Sequence, residues 1–252
     1  MANKLSASVI SLKEFNSVLQ RYEEHVLPKL QELDKFRFEI LPQRLAERKA
    51  KDGPAMNLDE ATRLVEWKLK HGTFRPTLLK LVQSNSEDTM HNVTAKAFTE
   101  YTSEPGNLNT HMKTLITLKG IGPATAALFL SVFDPVAVPF FSDELLWYLH
   151  WDEPNSEGWN RKIGYTLKEY LSLHEKCQIM RERLKEESGE EISALDIEKV
   201  AYVLGKEAID LDDPVKTEEA VETEGKQRGT KRGKADPEAA EEETKSIKRK
   251  KK

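Results

Sequence analysis

The sequence predicts an all-α fold: one multi-helix domain over residues 11–205, followed by a charged tail over 206–252. Three observations predict it. Apolar residues recur at three- and four-residue spacing in segment after segment up to residue 205, the period of a helix with one buried face. Asn57, Ser86, Ser142 and Ser193 stand at the starts of such segments, and Gly or Pro follows many of them, as helix ends require. No stretch reads as a credible strand, and no repeat period is visible.

The elements can be taken in order. Residues 1–10 are expected to be a flexible N-terminus. Leu12, Phe15, Leu19, Tyr22, Val26, Leu30 and Leu33 place a long helix over about 12–36, kinked or split by Pro28. A shorter helix follows over about 38–49, with Pro42 near its start. Residues 51–54 form a loop. Asn57 and Glu60 make a capping-box pattern for a helix that Gly72 ends. Pro76 opens the next helix, and Ser86 caps another that runs towards Tyr101. The turn at 103–106 leads into a helix over 107–116, and a second over 124–133 is apolar nearly all round, hence buried. Residues 136–141 are apolar but broken by Pro139, which argues against a strand. Ser142 starts a helix to about residue 151. A polar loop spans 152–158. A long helix is expected over about 160–187, interrupted at Gly164, and Ser193 caps a last one that ends at Gly205.

The chemistry concentrates in Leu118-Lys119-Gly120-Ile121-Gly122-Pro123-Ala124-Thr125-Ala126. The two glycines permit a sharp reversal, and Pro123 suits a first helical position. A turn of this kind feeding a helix N-terminus points backbone N–H groups outward, where the helix dipole adds positive potential. Such a site takes an anion, most often phosphate. Downstream stands Phe141-Ser142-Asp143-Glu144-Leu145-Leu146, with Asp143 placed 23 positions after Gly120.

This pair of motifs resembles the helix-hairpin-helix DNA glycosylase superfamily, over about residues 107–150. The resemblance implies that the amides of Gly120, Gly122 and Thr125 hold a DNA phosphate. It also implies that the carbonyls of Ile116, Leu118 and Ile121 line a monovalent cation site, and that Asp143 is the catalytic carboxylate. An ionised carboxylate stabilises the cationic sugar that develops as a glycosidic bond breaks. Lyase-competent members carry a lysine where this chain has Ala124, so a monofunctional hydrolytic glycosylase is implied. Leu145 stands where many members have histidine, and Glu144 leaves the carboxylate assignment ambiguous by one residue. A flipped base needs an aromatic pocket; Trp67, Phe74, Trp147, Tyr148 and Trp151 are the candidates.

Composition sets further bounds. The chain has 252 residues and one cysteine, Cys177, which excludes a disulfide framework, a four-cysteine zinc site and a four-cysteine iron–sulfur cluster. Cys177 reads as a small core hydrophobe. The six histidines (His25, His71, His91, His111, His150, His174) show no short paired ligand spacing. No apolar run reaches membrane-spanning length, and no apolar core of a signal peptide opens the chain, so an intracellular, reducing compartment is expected. Of 39 basic and 43 acidic residues, 210–252 holds 12 of each, so the rest, 27 against 31, carries the whole net charge of −4. Phosphate neutralisation drives DNA affinity, so positive charge must gather on one face. The stretch from Glu66 to Lys80, with Lys68, Lys70, Arg75 and Lys80, is where that is expected.

The tail is poor in apolar residues and is expected to be disordered. Its two basic clusters, Lys231, Arg232 and Lys234, and then Lys248, Arg249, Lys250, Lys251 and Lys252, resemble a bipartite nuclear import signal. DNA and an import receptor are the expected partners and the nucleus the expected location. Two functions stand open: a monofunctional glycosylase-like enzyme, and a non-catalytic helix-hairpin-helix module for DNA or protein contact. A basic cleft around Gly122 and Asp143 favours the first, an acidic or filled one the second.

Overall fold

A computed structural model describes residues 3–51, 53–72, 75–154 and 156–212. The basic clusters of the tail and Phe74 lie outside them. All regular structure among these residues is helical, and they belong to a single compact unit.

The first part of the chain departs from one long helix. It breaks into α1 (Leu12–Leu19), α2 (Tyr22–His25), a 3₁₀ turn (Pro28–Leu30) and α3 (Gln31–Lys35). Ser11 caps α1 by accepting from the Glu14 N–H at 3.3 Å. Pro28 sits at the first position of its own turn, where a missing N–H does no harm. From α3 the chain runs on through a π-turn (Phe36–Ile40) into α4 (Leu41–Lys49). Pro42 cannot donate to the preceding turn, and the wider π-turn immediately before it accommodates that loss.

The next elements match their caps. In α5 (Leu58–His71) the Asn57–Glu60 capping box is complete. Then come α6 (Pro76–Gln83), α7 (Glu87–Ser103) capped by Ser86, and α8 (Leu108–Ile116). The central helix is α9 (Pro123–Phe133). Its residues 124–132 are all buried, against α4, α5, α8 and the helix Leu167–Ser188. Each large apolar side chain so buried stabilises the fold by roughly 1.5–3 kcal/mol. The small side chains of Ala124, Ala126 and Ala127 let its neighbours approach.

Residues 136–141 are a connection and not a strand. The carbonyls of Pro135 and Val136 accept from the N–H groups of Leu195 and Ala194 at 3.1 and 2.9 Å, so this segment helps to cap α12 (Ala194–Lys206). Between them lie α10 (Asp143–Leu149), a 3₁₀ turn (Gly158–Asn160) and α11 (Leu167–Ser188). The long helix expected from residue 160 starts later, at Leu167. Thr166 and Glu169 form a capping box there, and Gly189 closes it with φ +72°.

The domain is larger than residues 11–205. Ile10 is fully buried, and the Leu5 carbonyl accepts from the Tyr148 hydroxyl at 3.0 Å. Residues 3–10 are therefore part of the packed body. At the other end Leu211 is buried, the Trp159 indole donates to the Ile209 carbonyl at 2.8 Å, and Asn3 Nδ2 donates to the Asp210 carbonyl at 2.9 Å. Among the described residues no helix is long and apolar enough to cross a membrane.

Candidate functional site

The turn 117–122 between α8 and α9 is built from both sides. The Ile121 N–H donates to the Leu118 carbonyl at 3.2 Å. Gly120, at the third position of that turn, has φ +77°, which a side chain strongly disfavours. A Cβ on Gly120 would also meet Leu81 Cβ and Val82 Cγ2 at 3.0 Å. Asn85, two residues beyond the end of α6, clamps the turn. Its amide nitrogen donates to the carbonyls of Lys119 (3.0 Å) and Val82 (2.8 Å), and its oxygen accepts from the Lys119 N–H (3.0 Å). Gly122 is different: it is exposed, and a Cβ there would meet nothing within 4 Å.

Three backbone donors follow. Among the described residues, the N–H groups of Gly120, Gly122 and Ala124 have no hydrogen-bond partner. Thr125 does not belong with them. Its N–H donates to the Gly122 carbonyl at 3.0 Å, inside the first turn of α9. The donor set is thus shifted by one residue from the expected one. Of the three carbonyls expected to hold a cation, that of Leu118 accepts the Ile121 N–H, while those of Ile116 and Ile121 have no partner among the described residues.

This turn forms one wall of a cleft of about 710 Å³. The opposite walls carry Lys68 and His71 of α5, Arg75, Asp143, Glu144 and Trp147 of α10, Tyr165, and Lys206 of α12. Asp143 is not the helix cap. Ser142 fills that role, its hydroxyl accepting from the Leu145 N–H at 3.2 Å. Asp143, one position inside, has its Oδ1 bound by the Tyr165 hydroxyl at 2.7 Å. The one-residue ambiguity also resolves into two environments. Glu144 faces Lys206, Oε1 to Nζ 3.3 Å, and burial raises its carboxyl above the usual range.

Tyr165 is the residue that sequence reasoning misses. It lies in the extended stretch before α11, outside any periodic pattern, and its φ of +53° is rare for a tyrosine. Its ring lies 5.6 Å from that of Phe141, and the Arg75 guanidinium lies 5.5 Å from its centroid. Burial, then Asp143, holds the phenol above its ordinary value, so it remains a donor. Strained residues held by their surroundings concentrate at functional sites.

His71 lies between the rings of Trp67 and Tyr202, each at 4.5 Å. Burial, helped by Arg37 and Lys206, pushes it down to about 3, so it is neutral at physiological pH. The other acidic and basic side chains lining the cleft are Lys68, Arg75 and Lys206 against Asp143 and Glu144. A chain with an acidic excess places more basic than acidic side chains here.

The aromatic candidates divide by helical phase. Trp147, four residues after Asp143, shares its face. It lines the cleft, its indole donating to the Arg161 carbonyl at 2.7 Å. Tyr148 turns into the core, where its hydroxyl meets Leu5. Trp151 is buried against Trp159 and donates to Asp212 at 3.1 Å. Trp67 is fully buried, donating to Asp34 at 2.5 Å. These three are core side chains, and Phe140, Phe141 and Tyr165 take the expected place of aromatic cleft lining. Cys177 is fully buried, its thiol pushed up to about 12. No cluster of histidine, cysteine and carboxylate suited to a metal occurs among the described residues. The chain matches no protein-family model, no curated protein and no solved structure.

Proposed function

We propose that this cleft binds a nucleic-acid strand by its phosphate at the 117–122 turn, and that Asp143 serves the hydrolysis of a base N-glycosidic bond. One observation carries the reading: three residues with unpartnered amides and a carboxylate free of capping duty line a single cleft that holds three basic side chains against two acidic ones. The amides of Gly120, Gly122 and Ala124 would take the phosphate. Asp143, oriented by Tyr165, would stabilise the cationic sugar. Trp147 and Tyr165 would flank an extruded base. The carbonyls of Ile116 and Ile121 would offer a monovalent cation its oxygen ligands beside that of Leu118. The tail clusters at 231–234 and 248–252 would direct the protein to the nucleus.

A second reading keeps the fold and drops the chemistry: a module that contacts DNA or protein through the turn. The acidic excess of the body, 27 basic against 31 acidic residues, favours it. Gly122→Asp tests the phosphate site common to both DNA readings. It places a negative charge in open space beside the unpartnered amides, so duplex affinity should fall at least about ten-fold at low salt while melting temperature holds. Unchanged affinity would remove the turn from DNA binding.

A further inference from the structure

An exposed face of α11 borders a second groove, of about 630 Å³. It shares no lining residue with the cleft. Glu175, Ile179, Glu182 and Glu186 follow one another along it at helical spacing, so they form one stripe. All four are exposed. Ile179, at 62 %, is the most exposed large apolar side chain among the described residues. The three carboxylates have no ion pair and no hydrogen bond among these residues. The nearest cations of α11 are engaged elsewhere: Lys176 with Glu153 at 3.4 Å, and Arg181 and Lys185 with Glu191 at 2.7 and 2.9 Å. Arg183, on the rim of the groove, gives its guanidinium to the carbonyls of Ile10 and Ala7 at 2.8 and 3.1 Å. Glu182 and Glu186 stand one helical turn apart, where like charges destabilise a helix.

We propose that this groove docks a basic peptide segment of another protein, with lysines or arginines on either side of one aliphatic residue. Charge complementarity carries the choice of partner. Three carboxylates without cations, two of them repelling each other, surround an apolar side chain left open to water. The partner's cations meet Glu175 at one end and the Glu182–Glu186 pair at the other. Its aliphatic side chain covers Ile179, which stands between them, and the central burial supplies the anchor while the charges set orientation and encounter rate. The stripe from Glu175 to Glu186 spans about 17 Å of helix. About five residues of extended chain cover that length. A contact so small gives a weak, readily reversed complex. The same carboxylates repel phosphate, so this face and the cleft take partners of opposite charge.

The probe is a short synthetic peptide of lysines around one central leucine, capped at both ends and labelled with a fluorophore. It is titrated with the full-length protein and read by anisotropy at about 0.15 M salt, where exposed charges more than about 8 Å apart are largely screened. Saturable binding is expected. Serine in place of the peptide's leucine, or Ile179→Ser in the protein, should each weaken it at least about five-fold. Glu182→Lys with Glu186→Lys should weaken it at least about ten-fold. These three positions are exposed, so the melting temperature should hold. Glu23→Lys with Glu24→Lys alters an exposed acidic pair on α2 and controls for net charge; it should change affinity by less than about two-fold. No saturable binding, equal binding of the peptide without leucine, or an equal loss in the α2 variant overturns the proposal. So does sedimentation of the protein as a dimer that Ile179→Ser dissolves, because the face then belongs to a second copy. Should a groove variant melt lower, the two peptides compared on the unaltered protein decide.

Discussion

Trp67 and Lys68 are neighbours in α5, and they belong to opposite worlds. Trp67 faces a buried polar cluster in which the charged groups are satisfied. Arg37 gives two guanidinium nitrogens to Glu198, each at 2.7 Å, and its carbon lies 3.9 Å from the Trp67 ring centroid. Asp34 accepts from the Trp67 indole at 2.5 Å and from the Tyr22 hydroxyl at 3.0 Å. Lys68 faces the cleft, where one ammonium and three amides have no partner among the described residues. Buried polar groups are nearly always paired within a protein, and a fully paired network holds one arrangement. Unpaired donors in a cleft are what a ligand can use. The contrast separates the charges that build this fold from those that are placed to act.

Three sites probe the contrast, in falling order of effect. Glu198→Ala strips the partner from a buried guanidinium and should destabilise the domain by about 3–5 kcal/mol in denaturant unfolding. A loss under about 1 kcal/mol, the size of an exposed pair, would mean the cluster is not a closed network. Next comes the inner face of the turn. Gly120→Ala forces a side chain onto φ +77° and against Val82, for a loss of about 1–3 kcal/mol. Gly122→Ala points into open space and should stay within about 0.5 kcal/mol of the parent. Equal effects at the two glycines would contradict the two-faced turn.

The third probe is His71, which joins both regions. Its folded value, about 3, lies below the 6.5 of the unfolded chain. The unfolded state therefore binds more protons between these values, and stability falls as pH drops from 6.5 towards 3. His71→Phe keeps the ring between Trp67 and Tyr202 without the titration. Between pH 6.5 and 5 the parent should lose on the order of 1 kcal/mol more than the variant. Parallel pH curves would show that His71 is not held neutral.

Much of this was legible in the sequence. The caps at Asn57, Ser86, Ser142 and Ser193 were, because each is a local side-chain-to-backbone bond. So was the adjacency of Gly120, Gly122 and Asp143, which now share a cleft wall to wall. What failed needed tertiary information. Asn85 clamps Lys119 from 34 positions away, and nothing in its neighbourhood announces that. Tyr165 carries a positive φ that no tyrosine advertises. Trp67 looked like an aromatic among lysines, yet one step along the helix separates it from Lys68 and puts it in the core. The helix expected from about residue 160 begins at Leu167 because Thr166 and Glu169 form a capping box there, a local signal that the sequence reading did not take up.

The central claim is that Asp143 acts on a substrate instead of finishing a helix. Asp143→Asn keeps the shape and removes the charge, and Ser142 already provides the cap. Single-turnover base release from lesion-bearing duplexes is measured for parent and variant, with duplex affinity on the same samples. Release should fall by about 10²–10³-fold, the scale of a lost transition-state stabiliser, while affinity holds or rises as repulsion from phosphate is relieved. Equal release by Asp143→Asn and the parent, or no release by the parent on any lesion, would contradict the claim and leave a binding module in its place.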